Sequence, residues 1–293
     1  AQVNDGEPVW YSGDAIGTYA FLKKFDWENS LALAHNAIFD GAILSWKWGI
    51  KPKGWLDTLS MGRALHGTEV GGSLKVLAEY YDLGVKGEQV AKYINYFRKD
   101  FTDEELADYG WYCKNDVDLT YKLFHILKDH FTKKELKLID LTLRMFIEPT
   151  LELDLTLLEQ HLSDVRERKE RLLLDCAANR DDLMSNPKFA ELLRQHGVEP
   201  PMKVSLTTGK ETYAFAKNDA LFQALLNGQR EDVALLCEAR LRVKSTTERT
   251  RAQRFLDISR RGNLPVPLSY YGALSGRWTA SKGSAINMQN LKR

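Results

Sequence analysis

The alternation of apolar and polar positions divides the chain into a first part of short elements and a second part of long helices. Ile16, Tyr19, Ala20 and Phe21 recur at helical steps and predict a helix over residues 13–24, with a loop at Asp26-Trp27-Glu28-Asn29 after it. Leu31-Ala32-Leu33-Ala34 is a short continuous apolar run, the pattern of a buried strand. It leads directly into His35-Asn36-Ala37-Ile38-Phe39-Asp40 and a helix reaching Trp48. A second such run, Trp55-Leu56, ends at Asp57-Thr58 before another helix, and Ser73 opens a further one at Leu74. This alternation predicts an α/β layer with an incomplete sheet.

A long helix follows over residues 102–128. Thr102 with Glu105 three positions on is a capping-box start. Leu106, Cys113, Val117, Phe124 and Leu127 step by three, four and seven, as a buried helical stripe requires. Tyr112 and Asp116 are four apart, so their side chains stack on one face. A phenol beside a carboxylate can hold a metal and orient its water, although such a pair also occurs as a surface acid beside a half-buried ring. Asp57 reads as a helix N-cap or a first-turn acid that complements the helix dipole. His35, His66 and His125 have no second His or Cys at ligand spacing, and Asp118 points away from the Tyr112 face.

From Phe131 the texture changes to charged helix. Residues 136–147 are amphipathic and end before Pro149. Asp154 or Thr156 caps a helix expected over 157–183, carrying Leu158, Leu162, Val165, Leu172 and Cys176 as a packing stripe. Asn186-Pro187 and Glu199-Pro200-Pro201 are breaks. Thr207-Thr208-Gly209-Lys210 is a turn with too few glycines for a phosphate loop. A last helix starts near Glu231 and runs into Val243-Lys244-Ser245-Thr246.

Composition adds three constraints. With 293 residues, 44% hydrophobic and 28% charged, the chain is long enough for two globular domains. No apolar run approaches membrane-spanning length, so no membrane role is expected. Cys113, Cys176 and Cys237 are scattered, which predicts reduced thiols of a cytoplasmic protein and no zinc site. The N-terminus lacks a signal region and an initiator Met, and reads as the interior of a longer protein. Net charge is only +1, yet residues 239–293 hold 12 Lys or Arg against two acids, an excess of ten that leaves −9 for everything before. So one-sided a tract is the electrostatic footprint of a phosphate backbone.

Asn36-x-x-Phe39-Asp40 after a buried strand, then Tyr112-x-x-x-Asp116 on a helix about seventy residues later, resembles the second and third motifs of the DEDD superfamily of 3′→5′ exonucleases, tyrosine subclass. The resemblance implies two-metal hydrolysis of a phosphodiester, with two Mg²⁺ ions (Mn²⁺ also suits) about 4 Å apart clamping the attacking and leaving oxygens. On that pattern Asp40 and Asp116 are metal ligands, Tyr112 orients the nucleophile and Asn36 contacts the terminal nucleotide. The family's first motif, Asp-x-Glu on an opening strand, has no counterpart: Asp26-Trp27-Glu28 has no strand leading into it and reads as a loop. The missing pair is expected upstream of Ala1. With two carboxylates of four, this chain by itself is expected to be inactive.

The end of the chain carries a second resemblance. Tyr270-Tyr271-Gly272-Ala273-Leu274-Ser275-Gly276-Arg277-Trp278, followed by Asn287-Met288-Gln289-Asn290-Leu291, is similar to the segment joining thumb and palm in family A DNA polymerases. Residues Arg240 to Thr246 resemble the helix at the tip of that thumb. The resemblance implies DNA contacts from Arg240, Lys244, Ser245, Thr246, Arg277, Gln289 and Asn290. Physically, Arg277 suits a bidentate phosphate contact, and Gln289 and Asn290 suit minor-groove acceptors shared by all correct pairs. The expected fold class is therefore α/β: a partial ribonuclease H-like exonuclease domain over residues 1–130, then a mainly helical polymerase thumb and the start of a palm over 131–293.

The parent protein implied is a phage or bacterial DNA polymerase with proofreading exonuclease, acting on primer-template DNA and a single-stranded 3′ end. Nothing in the sequence points to an oligomer. The chain stops before the palm aspartates, so no polymerisation is expected from it. Two other readings stay open: a free-standing DEDD exonuclease with an accessory nucleic-acid domain, and a non-catalytic DNA-binding module.

Overall fold

The computed structural model describes residues 1–67, 69–281 and 286–290, with only the backbone of Asn290. The chain forms two compact units, residues 1–151 with 263–293 and residues 152–262. This differs from the partition at 130/131 expected from the change in texture. The helix after that point carries side chains that complete the first unit.

In that unit α1 (Ala15–Leu22) starts at Asp14, whose carboxylate accepts from Gly17 N. Asp26-Trp27-Glu28 lies in the loop beyond it, where both Asp26 oxygens accept from the Asn29 side chain. β1 (Leu31–Ala34) and β2 (Gly54–Asp57) pair in parallel, with Leu31 opposite Gly54 and Ala34 opposite Asp57. Parallel strands require a crossover. It is supplied by α2 (Ala37–Ala42), which continues as a π-helical turn over Ile43–Lys47. Then come α3 (Thr58–His66), α4 (Leu74–Tyr80) and α5 (Gln89–Lys92). α6 (Asp103–Leu127) begins with the expected capping box of Thr102 and Glu105, and α7 (Lys133–Ile147) is capped by Thr132.

α7 docks on the side of β2 that β1 leaves free. Asp140 Oδ1 accepts from Trp55 N at 2.7 Å, and Arg144 donates to the carbonyls of Pro52 and Lys53 at 3.0 and 2.9 Å. An unpaired strand edge is a liability, and here side chains cover it. The core behind the strands combines Trp55, Met61, Leu77, Leu123, Leu127 and Ile139.

The buried face of α6 is rotated from the stripe expected. Tyr112, Leu119, Thr120, Leu123 and Leu127 are buried, whereas Cys113, Val117 and Phe124 are only half-buried. Val117 and Phe124 border an open cleft, which is why apolar periodicity alone misjudged them. The corrected face is the one that carries Tyr112 and Asp116.

The second unit opens with α8 (Leu155–Asp175), capped by Asp154. It ends at Asp175 and not at Leu183, and Ala177 beyond it takes a left-handed φ of +47°. α9 (Arg180–Met184) and α10 (Asn186–Gln195) follow, then an antiparallel pair of β3 (Met202–Val204) and β4 (Glu211–Tyr213). α11 (Ala220–Leu226), α12 (Glu231–Lys244) and α13 (Thr247–Ser259) complete it. Its core joins Phe189, Leu193, Phe215, Phe222, Leu236 and Cys237.

The chain then returns to the first unit. Leu264 N donates to Leu151 O at 2.7 Å and Val266 N to Met145 O at 2.9 Å. β5 (Leu268–Ser269) and β6 (Thr279–Ala280) form a small antiparallel ladder. Between them, Tyr270 is buried with its hydroxyl on Glu135 at 2.6 Å, and Trp278 Nε1 donates to Thr142 Oγ1 at 2.9 Å. Among the described residues no helix is long and apolar enough to cross a membrane.

Candidate active site

The turn from β1 into α2 is built around one buried carboxylate. Asp57 Oδ1 accepts from Asn36 N (2.8 Å), Ala37 N (3.1 Å) and Leu59 N (3.3 Å). Its Oδ2 accepts from Ser60 N (3.2 Å) and Ser60 Oγ (2.5 Å). Asp57 is thus the N-cap of α3, as expected, and it also ties down the start of α2. Asn36 has φ +73° and ψ +50°, a left-handed conformation that Asn tolerates better than most residues. His35 spans the same region: the Gly72 carbonyl can only accept, so Nε2–H donates to it at 3.0 Å and Nδ1 takes the Thr58 hydroxyl at 2.9 Å. Burial is the main cause holding His35 below its ordinary value, so it serves as a neutral strut.

With the turn fixed, the first turn of α2 presents Asp40 to a cleft of about 1900 Å³, beyond the roughly 300–1,000 Å³ of a small-molecule site. Asp40 keeps solvent access, but the cleft walls displace much of the water around it. That desolvation, with the nearby charge of Asp57, pushes its carboxyl up to about 6. Asn36 is exposed at the same cleft.

α6 brings Asp116 to this cleft, with Tyr112 one turn before it. Burial first, then the neighbouring Asp116 carboxylate, raise the Tyr112 phenol well above its ordinary value, so it stays protonated. Asp40 and Asp116 therefore line one cavity, Tyr112 stands against Asp116, and Asn36 opens onto the same space.

Sequence reasoning missed Lys86. Its ammonium contacts Asp116 Oδ2, donates to Tyr112 Oη at 2.9 Å and lies 4.8 Å from the centre of the Tyr112 ring. Asn115 steadies the loop that carries it, donating to Val85 O at 3.0 Å. Gly87 lies so close that an added Cβ would sit 3.0 Å from the Tyr112 ring. A lone lysine between glycines carries no motif, so nothing local marked it.

Among the described residues no three His, Cys, Asp or Glu side chains converge on one point. The donors present still fit a hard cation. Asp116 Oδ1 is buried without a hydrogen-bond partner, an open acceptor beside the half-exposed Asp40 cleft. Mg²⁺ takes one or two carboxylates and fills its shell with water and substrate phosphate.

The residues expected to meet DNA fall in both units. Lys244, Ser245 and Thr246 are exposed where α12 passes into α13. Arg277 is exposed in the β5–β6 connection, and Gln289 is exposed with its amide donating to Trp278 O at 2.6 Å. The side chain of Asn290, and Lys282, Lys292 and Arg293 of the basic tract, lie outside the described residues.

Arg240 departs from its expected role. It is 1% exposed, sandwiched between Phe189 (4.4 Å) and Phe215 (4.8 Å), and donates to Leu183 O at 2.6 Å and to Asn186 Oδ1. Burial lowers it to about 10. A guanidinium so enclosed offers no surface to a phosphate, and Arg240 is a core residue. Its spacing with Val233, Leu236 and Cys237 carried the signal, since these positions share one helical face.

Residues 12–131 match the family model of the 3′-5′ exonuclease domain of family A DNA polymerases. The match takes in Asn36, Asp40, Lys86, Tyr112 and Asp116 and excludes the whole second unit. No curated protein matches the chain.

Proposed function

We propose that the chain is part of a family A DNA polymerase, phage or bacterial and cytoplasmic, whose first unit is a proofreading 3′→5′ exonuclease and whose second unit is the thumb. The observation that carries the reading is that Asp40 and Asp116, from a strand–helix turn and a distant helix, line one cleft with Tyr112 against Asp116. The family match over residues 12–131 supports the nuclease class.

The reaction adds water across the terminal P–O3′ bond, releasing a nucleoside 5′-monophosphate and a new 3′-hydroxyl. Divalent ions, Mg²⁺ or Mn²⁺, supply the charge that acidifies water and steadies the leaving oxygen. Asp116 and Asp40 would hold them; among the described residues Asp116 Oδ1 has no hydrogen-bond partner. The protonated Tyr112 hydroxyl orients the attacking water, and Lys86 positions both Tyr112 and Asp116. Asn36 presents its amide to the terminal nucleotide. Exposed Lys244, Ser245, Thr246 and Arg277 meet backbone phosphates, and Gln289 with Asn290 meets the minor groove of the primer-template duplex.

A second reading, a DNA-binding module without hydrolysis, is favoured by the absence, among the described residues, of any three His, Cys, Asp or Glu side chains grouped to hold a metal. A 5′-labelled single strand incubated with the chain, and with an upstream-extended chain, in Mg²⁺ or Mn²⁺ separates the two. Stepwise loss of 3′ nucleotides that Asp116→Ala abolishes supports the nuclease. Duplex binding with no release from either chain leaves the binding module.

A further inference from the structure

A concavity in the second unit plays no part in the site above. It lies between α8, the start of α9, the end of α12 and the start of α13, with Val165, Leu173 and Val243 as apolar lining. At about 260 Å³ it exceeds several times the roughly 30 Å³ share of one water. Its rim carries Arg166, Lys169, Arg180 and Arg249 against one acid, Glu170, beside the Thr246 hydroxyl.

Of the carboxylates nearby, Glu248 pairs with His161 and Arg168 and also acts on Lys169, and Asp182 pairs with Lys188. Among the described residues Lys169 donates to the neutral carbonyl of Ser245, at 2.7 Å. Burial, followed by the charges of Arg249 and Arg180, pushes the Lys169 ammonium below its ordinary value, so these cations feel one another. Four cations around a partly apolar hollow outnumber the acids beside them, Glu170 on the rim and Glu248 near Lys169. A tetrahedral oxyanion supplies a counter-charge, since guanidinium groups pair with it in bidentate fashion and an ammonium adds a point charge.

We propose that this concavity is a binding site for a phosphoryl oxyanion, presented by a nucleic-acid backbone or as free phosphate. The backbone source rests on the reading of this unit as a DNA-handling thumb; the oxyanion chemistry does not. Arg180 and Arg249 are its main ligands, with Lys169 behind them.

The test uses the full chain, an Arg180→Gln/Arg249→Gln variant, and Arg260→Gln/Arg261→Gln as a control of equal charge loss. All are compared first by circular dichroism melting. Inorganic phosphate is then titrated against chloride at constant ionic strength, and a short duplex is titrated across a salt series. The expected result is a phosphate-dependent rise in melting temperature in the wild type and control that the R180Q/R249Q variant lacks. Duplex affinity in that variant should fall at least 10-fold, with the slope of log K against log salt reduced by up to about two, near 0.9 for each phosphate no longer neutralised. A phosphate effect with unchanged duplex binding assigns the site to free phosphate. If the wild type binds no duplex, the thumb reading fails and the phosphate arm alone judges the pocket. Equal behaviour of both double variants in both arms overturns the proposal.

Discussion

Lys86 and Asp116, thirty residues apart, meet in an ion pair whose ammonium also holds the Tyr112 hydroxyl. The lysine supplies positive charge on Oδ2, while among the described residues Oδ1 of the same carboxylate has no hydrogen-bond partner. The contact ties the loop that carries Lys86 to the Tyr112–Asp116 face of α6.

Lys86→Met should therefore lower stability by about 1–2 kcal/mol in chelator, a figure reduced from the fully buried case because both side chains are about a quarter exposed. Urea denaturation with EDTA and with excess Mn²⁺ measures it. The deficit should shrink in Mn²⁺, and an equal deficit in both conditions would show that the lysine acts only as packing.

Asp57→Ala removes the acceptor for four backbone donors and one hydroxyl. Loss of an N-cap together with stranded buried donors predicts a cost of about 3 kcal/mol. Asp57→Asn, which retains one acceptor oxygen, should lose less. Chemical denaturation ranks the two, and the reverse order would remove Asp57 from its organising role.

Asn36 separates backbone from side-chain chemistry. Asn36→Gly accepts the left-handed φ and should fold with near wild-type stability while losing the amide. Asn36→Val should lose about 1–3 kcal/mol from backbone strain. Should the glycine variant retain full 3′-end affinity, the amide is not a nucleotide contact.

Arg240→Met should destabilise by about 3 kcal/mol, because it strands Leu183 O and Asn186 and removes a cation from between two rings. Lys244→Met, at an exposed position of the same helix, should leave the melting temperature unchanged within a degree or so and weaken duplex binding instead. Melting curves and a binding isotherm on both variants decide whether the two residues act differently.

Cys237 is buried and its thiol pushed up to about 12. Its thiolate fraction at pH 8 is of order 10⁻⁴, so a thiol reagent should label it only after unfolding. Half-buried Cys113 and Cys176 should react first. Mass spectrometry of the native protein after labelling locates the modified sites.

What could be read in advance was local. Thr102 and Glu105 announce α6, the run from Leu31 to Ala34 announces β1, and Asp57 announces a cap, because each signal lies within a few residues of its effect. Lys86 could not be read, since its partners are brought to it by tertiary packing across a loop. Arg240 was misjudged for another reason: a basic tract suggests surface, yet its helical register with Leu236 and Cys237 puts it inside. The buried stripe of α6 was misassigned because apolar Val117 and Phe124 border the cleft and are only half-buried, although Phe124 also packs against the core.

The bridge between Leu151 and Leu264 has a topological consequence. It joins the residue at which the chain leaves the first unit to one just after its return, so residues 152–262 are an insertion between two paired strand-like segments. Replacing the insertion by a hairpin turn would leave the termini of that gap where they already are. The first unit, which contains the residues matched by the exonuclease family model, would then be a single shorter polypeptide that still contains its Tyr270 and Trp278 anchors.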